Sequence, residues 1–219
     1  MIESSPGHAS EPKLRDQVVA AAERRFNRHG FKSVTMDDIA RELGMSKKTL
    51  YQVVDNKQAL IDLVLDADMR RDEEIVARAR ADSSDAVDEM LRIARHFTEE
   101  MRETNPAAIY DLQKYYRPSW ERLDAHHNDE MIEHVRANLR RGQSEGLYRD
   151  DLHRELIAHL FVQAPKAFMD GERFPLRQHE WETILGQFMS YHLRGIVTAA
   201  GRERLEANLN RHADTDPQT

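Results

Sequence analysis

Lys47, Lys48, Thr49, Tyr51 and Gln52 bring two long cations, a hydroxyl, a phenol and an amide into one short stretch, KKTLYQV. These groups bond phosphate oxygens and the base edges exposed in the major groove of duplex DNA. A helix over residues 46–53 turns Leu50 and either Val53 or Val54 inward and leaves the polar set outside. Ser46 stands where its hydroxyl can cap that helix.

A helix this short needs a partner to hold it, and the preceding residues supply one. Thr35 can cap a helix in which Asp37 and Asp38 fall in the first turn, where the helix dipole favours anions. Ile39, Ala40 and Leu43 give it an apolar face, and Gly44 ends it because a C-terminal cap needs positive φ. Met45 is expected to plug the turn. The result is a helix-turn-helix whose second helix carries the cations.

The same residues resemble the TetR family of bacterial transcriptional repressors. The family pattern, roughly T-x-x-x-I-A-x-x-x-G-V-S-x-x-x-L-Y-x-[HY]-F-x-[SN]-K-x-x-L, is met in register by Thr35, Ile39, Ala40, Gly44, Ser46, Leu50, Tyr51, Asn56, Lys57 and Leu60. Val53 stands where His or Tyr is usual and Val54 where Phe is usual, which removes one phosphate contact and shrinks a packing anchor. The resemblance covers the first quarter of the chain closely; beyond it only the helical plan and the length agree. It implies a homodimeric repressor on a palindromic double-stranded DNA operator, released by a small-molecule effector. In that reading Ser46, Lys47, Lys48, Thr49, Tyr51 and Gln52 lie on the DNA-reading helix, and Thr35 and Lys57 bond phosphates.

The remaining sequence fits an all-α plan, with no sustained alternation of apolar and polar residues. Residues 1–12 are expected to be a disordered arm, 13–57 the DNA-binding head, 58–201 a helical effector-binding and dimerisation domain, and 202–219 a polar, disordered tail. In the head, Leu14, Val18, Ala21, Ala22 and Phe26 mark a first helix ended by Gly30, with Phe31 and Val34 tucked beneath the motif. Further helices are expected over 57–79, 85–103, a short piece after Asn105-Pro106, 118–143, 151–169 with a kink at Pro165, and 178–200. The last two are too apolar for one neighbour to cover, and Gly195 with Ala199 permits close approach of another helix. The family resemblance assigns them to a four-helix dimer interface.

Charge divides along the same line. Residues 1–57 hold ten Lys/Arg against eight Asp/Glu, and the remainder is strongly acidic, giving a net −7 for the 219 residues. Local placement of cations must therefore provide the attraction to phosphate. The absence of cysteine excludes disulfides and thiolate chemistry. No apolar run approaches the ~20 residues of a membrane span, and no signal-peptide pattern is present, so a cytoplasmic location is expected.

An effector site is sought on the 118–143 helix. At 100° per residue, His127, Met131, His134 and Asn138 all fall within about 40° of Trp120, so polar groups interrupt an apolar stripe. That is the pattern of a partly polar pocket wall, to which Phe97, Met101 and Tyr110 can contribute; hydrogen-bonded structural residues would look the same. His127 and His134 are two turns apart and cannot chelate one ion alone. Glu130 with His134 lacks a third ligand, so no metal or other cofactor is expected. There is no phosphate loop, nucleophile elbow or HExxH motif, and adjacent acids such as Glu99 and Glu100 point to different sides of a helix. The chain is therefore expected not to be an enzyme. The alternative is a helical enzyme or interaction module in which the motif is an ordinary helical hairpin.

Overall fold

The computed structural model describes residues 11–169 and 181–213. Most of the expected N-terminal arm, the turn-rich segment from 170 and the end of the tail lie outside the described residues, as do the side chains of Met101 and Trp181. All ten described elements are helices, and among the described residues the one β contact is an isolated antiparallel bridge between Tyr148 and Val197.

The first helix, α1 (Glu11–His29), starts two residues earlier than the sequence suggests. Pro12 falls in its first turn, where a missing N–H costs no helical bond and φ is preset. Then come α2 (Met36–Glu42), α3 (Lys47–Val53), α4 (Lys57–Asp82), α5 (Ala86–Glu103), α6 (Pro106–Tyr115) and α7 (Arg117–Ser144). The chain ends with α8 (Arg154–Met169), α9 (Trp181–Ile196) and α10 (Ala199–Ala213). These helices form two compact units, and α4, α7 and the last residue of α5 make the chain cross between them.

The first unit holds α1 to α3, α4 as far as Asp72, α6, and α7 as far as His126. Its core takes Val18, Ala22 and Phe26 from α1, Ile39 and Ala40 from α2, Leu50 from α3 and Leu60, Ile61 and Val64 from α4. Ala108 and Leu112 of α6 and Leu123 of α7 complete it. Phe31 stacks on Phe26 with ring centroids 4.7 Å apart, which seats the α1–α2 connection. Val54 is buried and Val53 partly so, and a valine in the anchor position still reaches this core. Gly30, at φ +83°, lets that connection turn against α6; a Cβ there would sit 2.7 Å from the Asp111 carboxylate. The buried Asp111 uses that carboxylate to accept the Lys32 backbone N–H at 2.7 Å.

The second unit comprises residues 73–102 and 127 onward. Val87, Met90, Leu91, Val135, Leu139, Tyr148, Phe161, Leu193 and Leu205 are among its core. Three expected boundaries change here. The Arg149 guanidinium binds Asp151 in a turn, and His153 accepts the Leu156 N–H through Nδ1, so α8 begins at Arg154. Helix α8 runs through Pro165 to the expected end at Met169. The expected 178–200 helix is two helices, because Arg149 N–H bonds the Ile196 carbonyl and Thr198 N–H bonds the Leu147 carbonyl, both at 2.9 Å. Thr198 then caps α10 by accepting the Gly201 N–H. The stretch read as a polar tail is thus helical to Ala213, and it buries Leu205 and Asn208.

His192 of α9 has its Nε2 buried without a hydrogen-bond partner among the described residues, with the Phe161 ring 4.8 Å and the Phe188 ring 5.6 Å away. Burial lowers its pKa to about 4. The folded chain therefore binds this proton less readily than the unfolded chain, so stability is full above the ordinary histidine pKa and falls as pH drops towards 4. The loss at pH 4 is expected to reach about 3 kcal/mol. Urea melts across this range should show it, and His192→Leu should flatten the curve; parallel curves for the two proteins would refute the assignment.

Candidate nucleic-acid interface

Thr35 and Asp38 cap α2 reciprocally. The Asp38 N–H bonds the Thr35 hydroxyl oxygen at 3.2 Å, and the Thr35 N–H bonds the Asp38 carboxylate at 2.9 Å. These bonds from Thr35 are the main cause holding the Asp38 carboxyl below its usual pKa. Gly44, at φ +62°, makes the turn, and Met45 packs partly buried against the core. Ser46 caps α3 by accepting the Thr49 N–H at 3.1 Å, and the two hydroxyls lie 2.9 Å apart. Leu50 alone of α3 is fully enclosed, which fixes the rotation of the helix.

That rotation sorts the expected contact residues. Ser46 and Thr49 satisfy each other at the start of the helix. Lys47 reaches back to Asp37 in a 2.5 Å ion pair, so half of the expected lysine pair is already matched by a carboxylate. Lys48, Tyr51 and Gln52 stand exposed at i, i+3 and i+4, on one face, and hold no hydrogen bond or ion pair among the described residues. A long cation, a phenol and an amide on one helical face are suited to reading a groove. Lys57, at the start of α4, is half-buried, and burial is the leading cause lowering its pKa; its Nζ donates to the Lys32 carbonyl at 3.2 Å. Asn56 caps α4 by accepting the Ala59 N–H. Lys32 and Asp111 gain their importance from α6 packing beside α1, which no local spacing specifies. The mixture of lysine and tyrosine in YDLQKYY, residues 110–116, is the one local sign of it.

The expected effector residues divide between the two units. In the first, Trp120 packs partly buried against the core, and Tyr110 is exposed with its hydroxyl accepting from Lys114. In the second, Phe97 and Met131 pack against Val76, Ala79 and Ile93. His127 is half-buried. His134 lies 3.8 Å from the Glu130 carboxylate, and burial outweighs that charge to lower its pKa. Asn138 is buried, donating to the Ala86 carbonyl at 2.9 Å and accepting the Tyr148 hydroxyl at 3.0 Å, so its amide is engaged at both ends.

A trihelical core that holds a capped α2, a glycine turn and a polar-faced α3 defines a helix-turn-helix DNA-binding protein. Residues 18–64 match the family model for bacterial regulatory proteins of the tetR family. Over residues 18–64 the chain thus carries a tetR-family helix-turn-helix domain, the DNA-binding part of a transcriptional regulator. The uncharacterized HTH-type transcriptional regulator YvaF of Bacillus subtilis (strain 168) is 26% identical over 186 residues, spanning 83% of this chain and 94% of that protein. A transcriptional regulator from Cytophaga hutchinsonii matches with a TM-score of 0.71 at 16% identity, over 85% of this chain and 99% of that one. A TetR-family regulator from Streptomyces coelicolor matches with a TM-score of 0.62 at 22% identity, over 85% and 94% of the two chains. At such identities the structural likenesses speak to the fold alone. No described helix is long and apolar enough to cross a membrane.

Proposed function

We propose that the protein is a homodimeric repressor whose two α3 helices enter successive major grooves of a palindromic operator and which a small-molecule effector releases. The observation that carries this reading is the α3 face of Lys48, Tyr51 and Gln52, exposed and without partners while Leu50 anchors the helix behind it. On that face Lys48 and Gln52 reach base edges and Tyr51 sets register. Thr35 and Lys57 hold phosphates, and Lys47 must exchange Asp37 for DNA to do the same. Lys48→Ala is expected to weaken specific binding by ~1–3 kcal/mol if the lysine reads a guanine. Binding titrations on matched and substituted operators measure this, and unchanged affinity and preference would remove Lys48 from base reading.

The dimer reading is supported by α8 and α9. Leu156 and Leu160 of α8 are more than half exposed, and Tyr191 of α9 is 82% exposed. Gly186 and Gly195 have open space where a Cβ would stand, which suits close approach of helices from a second copy. The effector site in this reading is the α7 face of His127, Met131 and His134 together with Phe97, with Asn138 anchoring one end. An effector shifts the head spacing only by as much as it prefers the released form.

A further inference from the structure

Several cations of the first unit are matched to carboxylates, while others, among them Lys13, Arg15, Arg28, Lys48 and Arg70, make no ion pair among the described residues. Arg24 and Arg25 are matched by Glu42, Arg41 by Asp38, Lys47 by Asp37, Arg71 by Glu23, Arg117 by Glu121 and Arg122 by Asp62 and Asp66. Lys32, Lys57 and Lys114 make no ion pair with a carboxylate among the described residues; uncharged groups hold them instead. Lys32 Nζ donates to the Tyr115 hydroxyl at 3.0 Å and lies 4.3 Å from that ring's centroid. Lys114 Nζ donates to the Tyr110 hydroxyl at 2.5 Å and lies 5.6 Å from the Tyr115 centroid. Lys57 Nζ sits on the Lys32 carbonyl, 5.9 Å from the Tyr116 centroid.

We propose that Lys32 and Lys114, carried on the phenol rings of Tyr115 and Tyr110, form with Lys57 a second DNA-backbone clamp that grips phosphates beside the half-site read by α3. Resting on the DNA-binding reading above, this adds α6 to the interface. A phenol orients an ammonium group without neutralising it, so the full charge stays available to phosphate. Hydrogen bonds to the phenols are the largest influence on both Lys32 and Lys114 and favour the charged form. Of the acids beside the patch, Asp111 engages the Lys32 backbone N–H, which fixes where that lysine starts, and Asp38 acts on Lys57 through charge alone. Pre-positioning reduces the rotamer freedom each long side chain must lose on binding. Continuity comes from Lys57, whose Nζ links the start of α4 to the Lys32 backbone. Duplex DNA suits this patch better than a small acidic ligand, because Lys32 and Lys114 are exposed and spread over the surface.

The test is the salt dependence of binding by the full chain. The ligands are a duplex enriched from a random-sequence pool by the wild-type protein and an unselected duplex. Each phosphate contact contributes about 0.9 to the slope of log K against log salt. K32Q/K114Q is therefore expected to make the slope shallower by about two per head. It should weaken both duplexes by the same factor, whereas K48A acts mainly on the selected one. K32R/K114R keeps the charges and should restore the slope. An unchanged slope and affinity in K32Q/K114Q, with K48A still impaired, overturns the clamp alone. Equal loss in the Gln and Arg variants also overturns it, since packing rather than charge would then be responsible. Wild-type protein without salt-sensitive duplex binding would overturn the DNA-binding reading together with the clamp.

Discussion

The double variant L156D/L160D is expected to behave as a folded monomer and to lose operator affinity by a factor of about 10²–10⁴. Both leucines are on the exposed side of α8, while Ala158, Phe161 and Val162 on its other side are buried in the core of the same unit. Aspartate at the exposed positions therefore leaves the protomer core intact. Placed in a helix bundle with a second copy, it would set carboxylates against apolar groups without counter-charges. The large loss in DNA binding follows from geometry. A dimer that has seated one α3 presents the second at high effective concentration to the neighbouring half-site, and a monomer does not. Sedimentation gives the oligomeric state, and titration on one-half-site and two-half-site duplexes gives the affinities. A monomeric wild type, or a dimer that persists in the variant, would remove α8 from the interface. If the variant is monomeric but binds the two-half-site duplex as well as wild type does, the two-headed mode itself is wrong.

What was legible in the sequence follows the range of the forces involved. Thr35, Asp38, Gly44, Ser46 and Leu50 act on neighbours a few residues away, so caps, turn and buried anchor could be placed from spacing alone. Helix α10 was hidden because its start is set from far away in the chain. Thr198 bonds residues 146 and 147, and a Cβ on Gly201 would fall 2.0 Å from the Leu147 carbonyl oxygen. The polar composition after residue 200 gave no hint of those contacts. Lys47 begins α3, as the Ser46 cap implies, yet its pairing with Asp37 depends on the crossing of two helices. Asn138 lies on α7 as its spacing suggests, but its bonds there are set by Tyr148 and the Ala86 carbonyl, the latter 52 residues away.

Gly142 illustrates the same limit and carries the largest expected loss of stability. It lies inside α7, where replacing glycine by alanine is ordinarily favourable by about 1 kcal/mol. Here the sign reverses. A Cβ at 142 would stand 2.1 Å from the Tyr148 ring, with two further ring atoms within 2.6 Å. That ring cannot swing away, since Tyr148 is 1% exposed and its one hydroxyl proton is shared between the Ala86 carbonyl at 2.9 Å and Asn138 Oδ1 at 3.0 Å. Moving the helix instead would disturb Arg141, which binds Glu89 and Glu145, and Glu145, which accepts the Ala86 N–H at 2.8 Å. G142A is therefore expected to destabilise the chain by at least ~3 kcal/mol, the upper range for overpacking a core. Trimming the ring with Y148A should itself be costly, by ~3–5 kcal/mol for a buried aromatic, but it removes the object of the clash. The double variant G142A/Y148A should then be no less stable than Y148A alone. Denaturant melts of the three variants measure that coupling; additive losses would mean that the ring is not what the new methyl meets.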